Sequence, residues 1–353
     1  MKKNLIGVVT DIAEGQELAK HLALHGFSVS LFLYGFENYT VQEQADIFNV
    51  CEASGINVVP DTQALTVSLE VPRKLFMYSR TADFNGKVLE GLLEELEAGD
   101  TLVNMCDMSY IDAGVLAEEQ KKRSVNYMPA GFFGKLKAGS GISILPGGSL
   151  QGYEAMRPVF AEIAASDERG FTACPYIGPG GAGQYVKMAA NGLEYAMFEL
   201  YAETISMIRM FCEVDAEDIV EILTDMSSTE AESRFLDIVT DVISRRDAET
   251  GKPMADVVID RVEYGRSVQW LVKEAMELEI TVASVSTALE MRFVSRLGNE
   301  RVAASRLVEE EPPEKISNLD RRQFLGELRN GMYLGCLVAL TQCFSLLKKA
   351  SDT

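Results

Sequence analysis

Residues 178–203 read G-P-G-G-A-G-Q-Y-V-K-M-A-A-N-G-L-E-Y-A-M-F-E-L-Y-A-E, and this stretch decides how the chain is built. Gly178, Gly180, Gly181 and Gly183 open it, and only Gly192 interrupts the run of helix formers that follows. Such an opening lets the start of a helix come close to a neighbouring group. At about 100° per residue, Lys187, Asn191 and Glu194 fall within about 40° of one another on one face. Phe198 and Glu203 continue that mixed stripe. An ammonium, a carboxamide and a carboxylate lined up this way provide a general base, an anchor for a hydroxyl and a general acid. The polar face of an ordinary surface helix has the same spacing, so the pattern alone leaves both readings open.

On the N-terminal side, strand-like apolar runs recur at 4–9, 27–34, 56–59, 74–78, 101–104, 124–128 and 141–145. A helical pattern opened by Gly15 and closed by His25-Gly26 separates the first two, giving the strand–helix–strand start of a doubly wound sheet. Val88 to Leu96 is amphipathic and stops at Gly99-Asp100. Residues 1–177 are therefore predicted to be an α/β domain of the Rossmann type. Its glycine fingerprint is incomplete: Gly7 and Gly15 are separated by V-V-T-D-I-A-E, longer than the G-x-G-x-x-G spacing. Asp11 and Glu14 place negative charge where cofactor phosphates would lie. After the second strand, Leu33-Tyr34-Gly35 offers no arginine and no immediate acid for a ribose.

On the C-terminal side the pattern is helical. The helix that carries Lys187 is predicted to run through Met210, and Asp215 begins another. Ser227-Ser228-Thr229-Glu230 has the form of an N-cap box, and residues 233–246 are amphipathic. An acidic, proline-broken connection at 308–319 leads to a long apolar helix from Phe324 to Ala350, with Gly331 and Gly335 inside it. Residues 178–353 are predicted to be all-α.

A chain of 353 residues is long enough for two cores. Its formal net charge of −20 argues against nucleic acid or an anionic membrane as partner. An anionic substrate would need a local basic pocket against that field. The six cysteines (51, 106, 174, 212, 336 and 343) show no CxxC or finger spacing, so neither a zinc site nor a disulfide framework is expected. Met1-Lys-Lys-Asn-Leu leads into a short strand-like run instead of a signal peptide's longer apolar region. No run reads as long enough to span a bilayer. The expectation is a soluble, cytoplasmic, metal-free protein.

The motif G-A-G-x-x-x-K-x-x-x-N-G-x-E-Y resembles the catalytic helix of the 6-phosphogluconate dehydrogenase family, part of the wider β-hydroxyacid dehydrogenase group. Gly181, Gly183, Lys187, Met188, Asn191, Gly192, Glu194 and Tyr195 all stand where that pattern puts them. The resemblance extends unevenly along the whole chain. The family's D-G-G-N-S is represented by Asn104-Met105-Cys106-Asp107-Met108, and its Ser-Gly-Gly loop by Phe132-Phe133-Gly134-Lys135, where Gly134 remains. Ile144-Leu145-Pro146-Gly147-Gly148 matches a strand and turn, as Pro-Gly-Gly would in any context. Gly265-Arg266-Ser267-Val268-Gln269-Trp270 occupies the place of K-G-T-G-K-W, with a hydroxyl at Ser267 and Trp270 retained. Arg292 matches an arginine that holds the substrate phosphate, and Arg296 follows one turn later. Members using NADP typically carry Asn-Arg-Thr after the second strand. Long members extend past the point matching Thr353, and their tail supplies an arginine and a histidine to the partner subunit's phosphate site.

The resemblance implies NADP-dependent oxidative decarboxylation of 6-phosphogluconate, a reaction of the pentose phosphate pathway, with NAD as the other candidate cofactor. It makes Lys187 the base, Glu194 the acid that protonates the enediol, and Asn191 the residue that orients the hydroxyl and carboxylate. Tyr195, Arg292, Ser267 and Gly134 become substrate-binding residues, and Gly7, Gly15, Asn104 and Asp107 cofactor-binding ones. Two other outcomes fit the same residues: a family member that has lost turnover and serves a binding or regulatory role, and a β-hydroxyacid dehydrogenase with another substrate. The partner expected is a small phosphorylated sugar acid. The last helix is apolar beyond a single stripe, which predicts a homodimer.

Overall fold

The computed structural model describes residues 5–80, 82–134, 139, 141–263, 265–308, 316 and 318–352. Lys135 and most of the acidic connection at 308–319 lie outside the described residues. The chain begins β1 (Ile6–Thr10), α1 (Ala13–Leu24), β2 (Val29–Leu33), α2 (Val41–Ala53) and β3 (Ile56–Val59). Next come α3 (Thr62–Ser68), β4 (Lys74–Tyr78), α4 (Ala82–Glu95), β5 (Thr101–Asn104) and α5 (Tyr110–Lys122). Then β6 (Asn126–Phe133), β7 (Ser143–Pro146) and α6 (Leu150–Ile163) follow.

The strands form one sheet in the order β3-β2-β1-β4-β5-β6-β7, parallel except for β7, which runs antiparallel to β6. This is the predicted Rossmann-type domain, and strand order reverses where β1 meets β4. Side-chain alternation divides the core between the two faces. Ile6 and Val8 of β1, with Phe76 and Tyr78 of β4, pack with Leu18 and Leu22 of α1 and Phe160 of α6. Val9, Leu75 and Met77 point the other way, toward Leu65 of α3 and Phe84, Leu89 and Leu92 of α4.

Buried among these is His21, 1% exposed. The Gly139 N–H donates to its Nδ1 at 3.2 Å, so the ring proton sits on Nε2, which donates to the Ile163 carbonyl at 3.0 Å. Burial lowers its pKa, keeping the imidazole neutral. The His25 ring meets it edge-on, with centroids 4.4 Å apart.

The second half opens with α7 (Ala182–Phe211), then α8 (Ala216–Ser227), α9 (Arg234–Ser244) and α10 (Met254–Val257). α11 (Arg266–Glu277), α12 (Ala283–Ser295), α13 (Gly298–Ser305) and α14 (Asn318–Asp352) complete it. Asp215 caps α8 in a full capping box, as its sequence suggests. The box expected at Ser227–Glu230 is not one. Those residues end α8, and α9 starts later with Ser233 as its cap, its side chain accepting the Phe235 N–H. The core of this half joins Tyr201 and Ile208 of α7, Ile219 and Leu223 of α8, Leu236 of α9 and Met332 of α14.

The chain divides into the compact units Met1–Lys187 and Met188–Thr353, with the opening turns of α7 grouped in the first. The glycines explain why: a Cβ on Gly183 would lie 2.1 Å from the Leu145 carbonyl oxygen, and one on Gly181 would lie 2.0 Å from the Tyr110 carbonyl oxygen. The group that this helix start approaches is the first unit's own backbone, which draws the opening turns of α7 into that unit. One expectation needs correction, and it concerns α14. Within Asp320–Asp352 a stretch of mean hydropathy 1.3 is long and apolar enough to cross a membrane by length and composition, and 22% of it is buried. Gly331, Gly335, Thr341 and Gln342 break the apolar run in the sequence, but they add no charge to the helix.

Candidate active site

α7 carries Lys187, Asn191, Glu194 and Tyr195, as its periodicity requires. In the first unit, Lys187 is 13% exposed at its side chain and forms an ion pair with Asp107, which follows β5. Its stem lies over Gly131 of β6, where an added Cβ would come 2.8 Å from Lys187 Cβ. Gln184, one turn earlier, donates to the carbonyls of Cys106 (3.0 Å) and Ala130 (3.1 Å). Gly134 is exposed with φ +93°, a conformation that favours glycine.

In the second unit the same helix faces α11 and α12. A Cβ on Gly192 would lie 2.5 Å from Leu271 Cδ1 and would have to displace that methyl. Asn191 Nδ2 donates to Ser267 Oγ at 3.1 Å, and the Gly265 N–H donates to the Tyr195 hydroxyl at 3.0 Å. The Arg292 guanidinium lies 3.5 Å from the centroid of the Tyr195 ring, and its Nη1 donates to the Glu263 carbonyl at 3.1 Å. No side chain caps the start of α11 at Gly265. An uncapped helix start beside a hydroxyl, a phenol and a guanidinium has the chemistry of a phosphate site. Glu194 has its pKa raised by burial, with Arg292 opposing. Glu199, on the same helix, is raised by burial and by Glu203.

The sequence-predicted site residues thus fall into two groups. Asn191, Glu194, Tyr195, Ser267 and Arg292 come together in the second unit, whereas Lys187 and Asp107 meet in the first. Gly7 does not belong to a ligand loop. It is the second residue of β1, where a Cβ would press on Leu69 and Leu75, away from the strand's carboxyl end. Asn104 is fully buried, accepting the Cys106 N–H at 3.0 Å and donating to the Tyr127 hydroxyl at 2.9 Å. It braces a loop and does not face a cofactor. Gly15 packs α1 against β1, since a Cβ there would meet Thr10 Oγ1 at 2.0 Å.

The turn after β1 retains features that suit a dinucleotide. It lies where the strand order reverses, the usual position for such a ligand. No side chain caps the start of α1, so its first N–H groups suit a phosphate. Arg80, after β4, lies 3.5 Å from Glu14 and neutralises an acid that would oppose one. Arg80 was not singled out by sequence, because only the fold sets the end of β4 beside α1. The segment 34–39 holds no cation for a 2′-phosphate.

Family comparison divides the chain just before α7, close to the expected boundary at 177/178. Residues 7–178 match the NAD binding domain of 6-phosphogluconate dehydrogenase, and residues 183–353 match the 6-phosphogluconate dehydrogenase C-terminal domain. The chain is 30% identical over 350 residues to the decarboxylating 6-phosphogluconate dehydrogenase of Staphylococcus aureus (strain Mu50 / ATCC 700699), covering 98% of this chain and 73% of that one.

The chain belongs to the 6-phosphogluconate dehydrogenase family.

The NADP(+)-dependent, decarboxylating member from Bacillus subtilis (strain 168) is 28% identical over 355 residues, covering 100% of this chain and 74% of its own. The fold matches the Plasmodium falciparum 6-phosphogluconate dehydrogenase with a TM-score of 0.90 at 23% identity, over 99% of this chain and 74% of that one. A 3-hydroxyisobutyrate dehydrogenase from Salmonella typhimurium shares the fold more loosely, with a TM-score of 0.59 at 16% identity over 83% of this chain and 94% of its own.

Proposed function

We propose that this protein oxidises and decarboxylates 6-phosphogluconate with NADP. The observation that carries the reading is the α7 set, Lys187, Asn191, Glu194 and Tyr195, in a chain that aligns with decarboxylating relatives along its whole length. When bound, the cofactor supplies a hydride acceptor for the alcohol carbon. Lys187 takes the hydroxyl proton as the ketone forms, after leaving its pair with Asp107. Asn191 holds the hydroxyl and carboxylate. The β-keto acid then loses carbon dioxide, its ketone acting as the electron sink. Glu194 returns a proton to the enediol carbon, giving a ketopentose phosphate. Its raised pKa keeps the carboxyl protonated to higher pH than an ordinary glutamate, which suits an acid. Arg292, Tyr195, Ser267 and the start of α11 hold the phosphate.

We further propose a cytoplasmic homodimer. The six cysteines are free thiols, which suits a reducing compartment. α14 exposes Leu334 (61%) and Phe344 (60%), a face that a second copy would cover.

The test is NADPH formation from NADP and 6-phosphogluconate, with carbon dioxide released in equal amount. Cofactor binding without NADPH formation would favour a family member that no longer turns over, and NADPH formed only from another β-hydroxyacid would move the substrate assignment. A sedimentation mass of one chain at working concentration would remove the dimer.

A further inference from the structure

The Asp107–Lys187 pair is held by a buried framework on both sides. Met105 and Cys106 are fully buried, and the Asn104 side chain clamps the backbone between them and β5. The Cys106 carbonyl, adjacent to Asp107, accepts the Gln184 amide at 3.0 Å. Gln184 stands three residues before Lys187 on α7. One amide therefore ties the turn bearing the lysine to the residue preceding the aspartate. The backbones are fixed, and the two side chains are the adjustable part. Their exposures differ sharply: 13% for Lys187 and 63% for Asp107. Little water reaches the ammonium, and the carboxylate supplies its counter-charge from the solvent side.

We propose that Asp107 is an internal competitor for Lys187, occupying the ammonium until an anionic substrate displaces it. The proposal rests on the reading of Lys187 as the base given above. While the carboxylate holds the ammonium, the lysine is turned toward Asp107 and is not open to an incoming anion. The same carboxylate adds negative charge beside the route of a sugar acid, in a chain whose net charge is already −20. Asp107 thus sets how readily an anion reaches the lysine, and selects against weakly anionic competitors.

Asp107→Asn keeps the shape and removes the charge. Two readouts are needed: the KM for 6-phosphogluconate, and the rate at which trinitrobenzenesulfonate labels Lys187, followed lysine by lysine by mass spectrometry. The expected result is labelling of Lys187 about three- to tenfold faster and a KM lower by a similar factor, the scale of one partly buried ion pair. Other lysines keep their rates. Asp107→Glu, which retains the charge, keeps labelling slow. Unchanged labelling of Lys187 in Asp107→Asn overturns the proposal whatever the activity, and so does fast labelling in Asp107→Glu. An unchanged KM in a protein that turns over also overturns it. Faster labelling in Asp107→Asn with no turnover in either protein supports the competitor role and instead overturns the dehydrogenase reading.

Discussion

The two halves of α7 meet different surroundings. In the second unit its polar residues have partners that a ligand can share: a serine hydroxyl on Asn191, a backbone N–H on the Tyr195 hydroxyl, and a guanidinium stacked on that ring. In the first unit the corresponding places are filled by the protein itself. Asp107 holds Lys187, Thr10 packs into the gap over Gly15, and Asn104 is sealed in the core. The difference teaches that a family motif can persist while its setting is rebuilt. The residues proposed for the phosphate lie together in the second unit, whereas in the first unit Lys187, Gly15 and Asn104 are engaged by the protein's own groups.

Substitutions can break or sharpen this contrast. Lys187→Ala carries the largest expected effect, a fall in kcat of about 10³-fold, read from NADPH formation, with the cofactor's thermal shift unchanged. Arg292→Ala tests the second unit. It is expected to raise the KM for 6-phosphogluconate by about 10²-fold with a smaller change in kcat, because it removes phosphate binding common to ground and transition states.

Glu194→Gln is expected to lower kcat by about tenfold or more and to flatten the alkaline limb of the pH profile. The sign follows from burial: the raised pKa keeps the acid form present at low pH, and activity falls as pH rises through it. The contribution of this group to stability is likewise complete below the unfolded pKa and lost as pH rises through the folded one. Glu194→Gln therefore raises the neutral-pH Tm slightly, by about 1–2 °C, measurable by calorimetry.

Thr10→Ala gives the smallest effect. Thr10 Oγ1 accepts the Ile12 N–H at 3.2 Å, so its removal frees a donor near the start of α1. The dissociation constant for NADP, from calorimetric titration, is expected to fall about two- to threefold, the worth of part of one hydrogen bond. A rise would show that Thr10 braces the loop for the cofactor.

The sheet was readable because each strand is a short apolar run between turn signals, and all seven expected runs overlap an observed strand. The polar face of α7 followed from helical periodicity alone. Long-range pairings were beyond reach. Nothing near Asp107 in sequence signals that its partner is a lysine on α7, nor does the segment around Arg80 reveal Glu14 as its neighbour. Gly7 misled for a physical reason: a glycine that admits a ligand and one that admits a leucine look alike until Leu69 is placed beside it. The close approach at the start of α7 was readable from its glycines, but not that the neighbours are backbone carbonyls.

The sequence contains two histidines, His21 on α1 and His25 at its C-cap. The proton spectrum of the whole protein therefore carries two imidazole spin systems, close enough in space to identify each other. One of them, His21, is hydrogen-bonded to the Gly139 N–H in the segment that follows Gly134. A shift of its ring-proton resonances on adding a ligand would report a change at the Gly139 contact, with no label introduced. In spectroscopic terms, the protein carries its own probe of that contact.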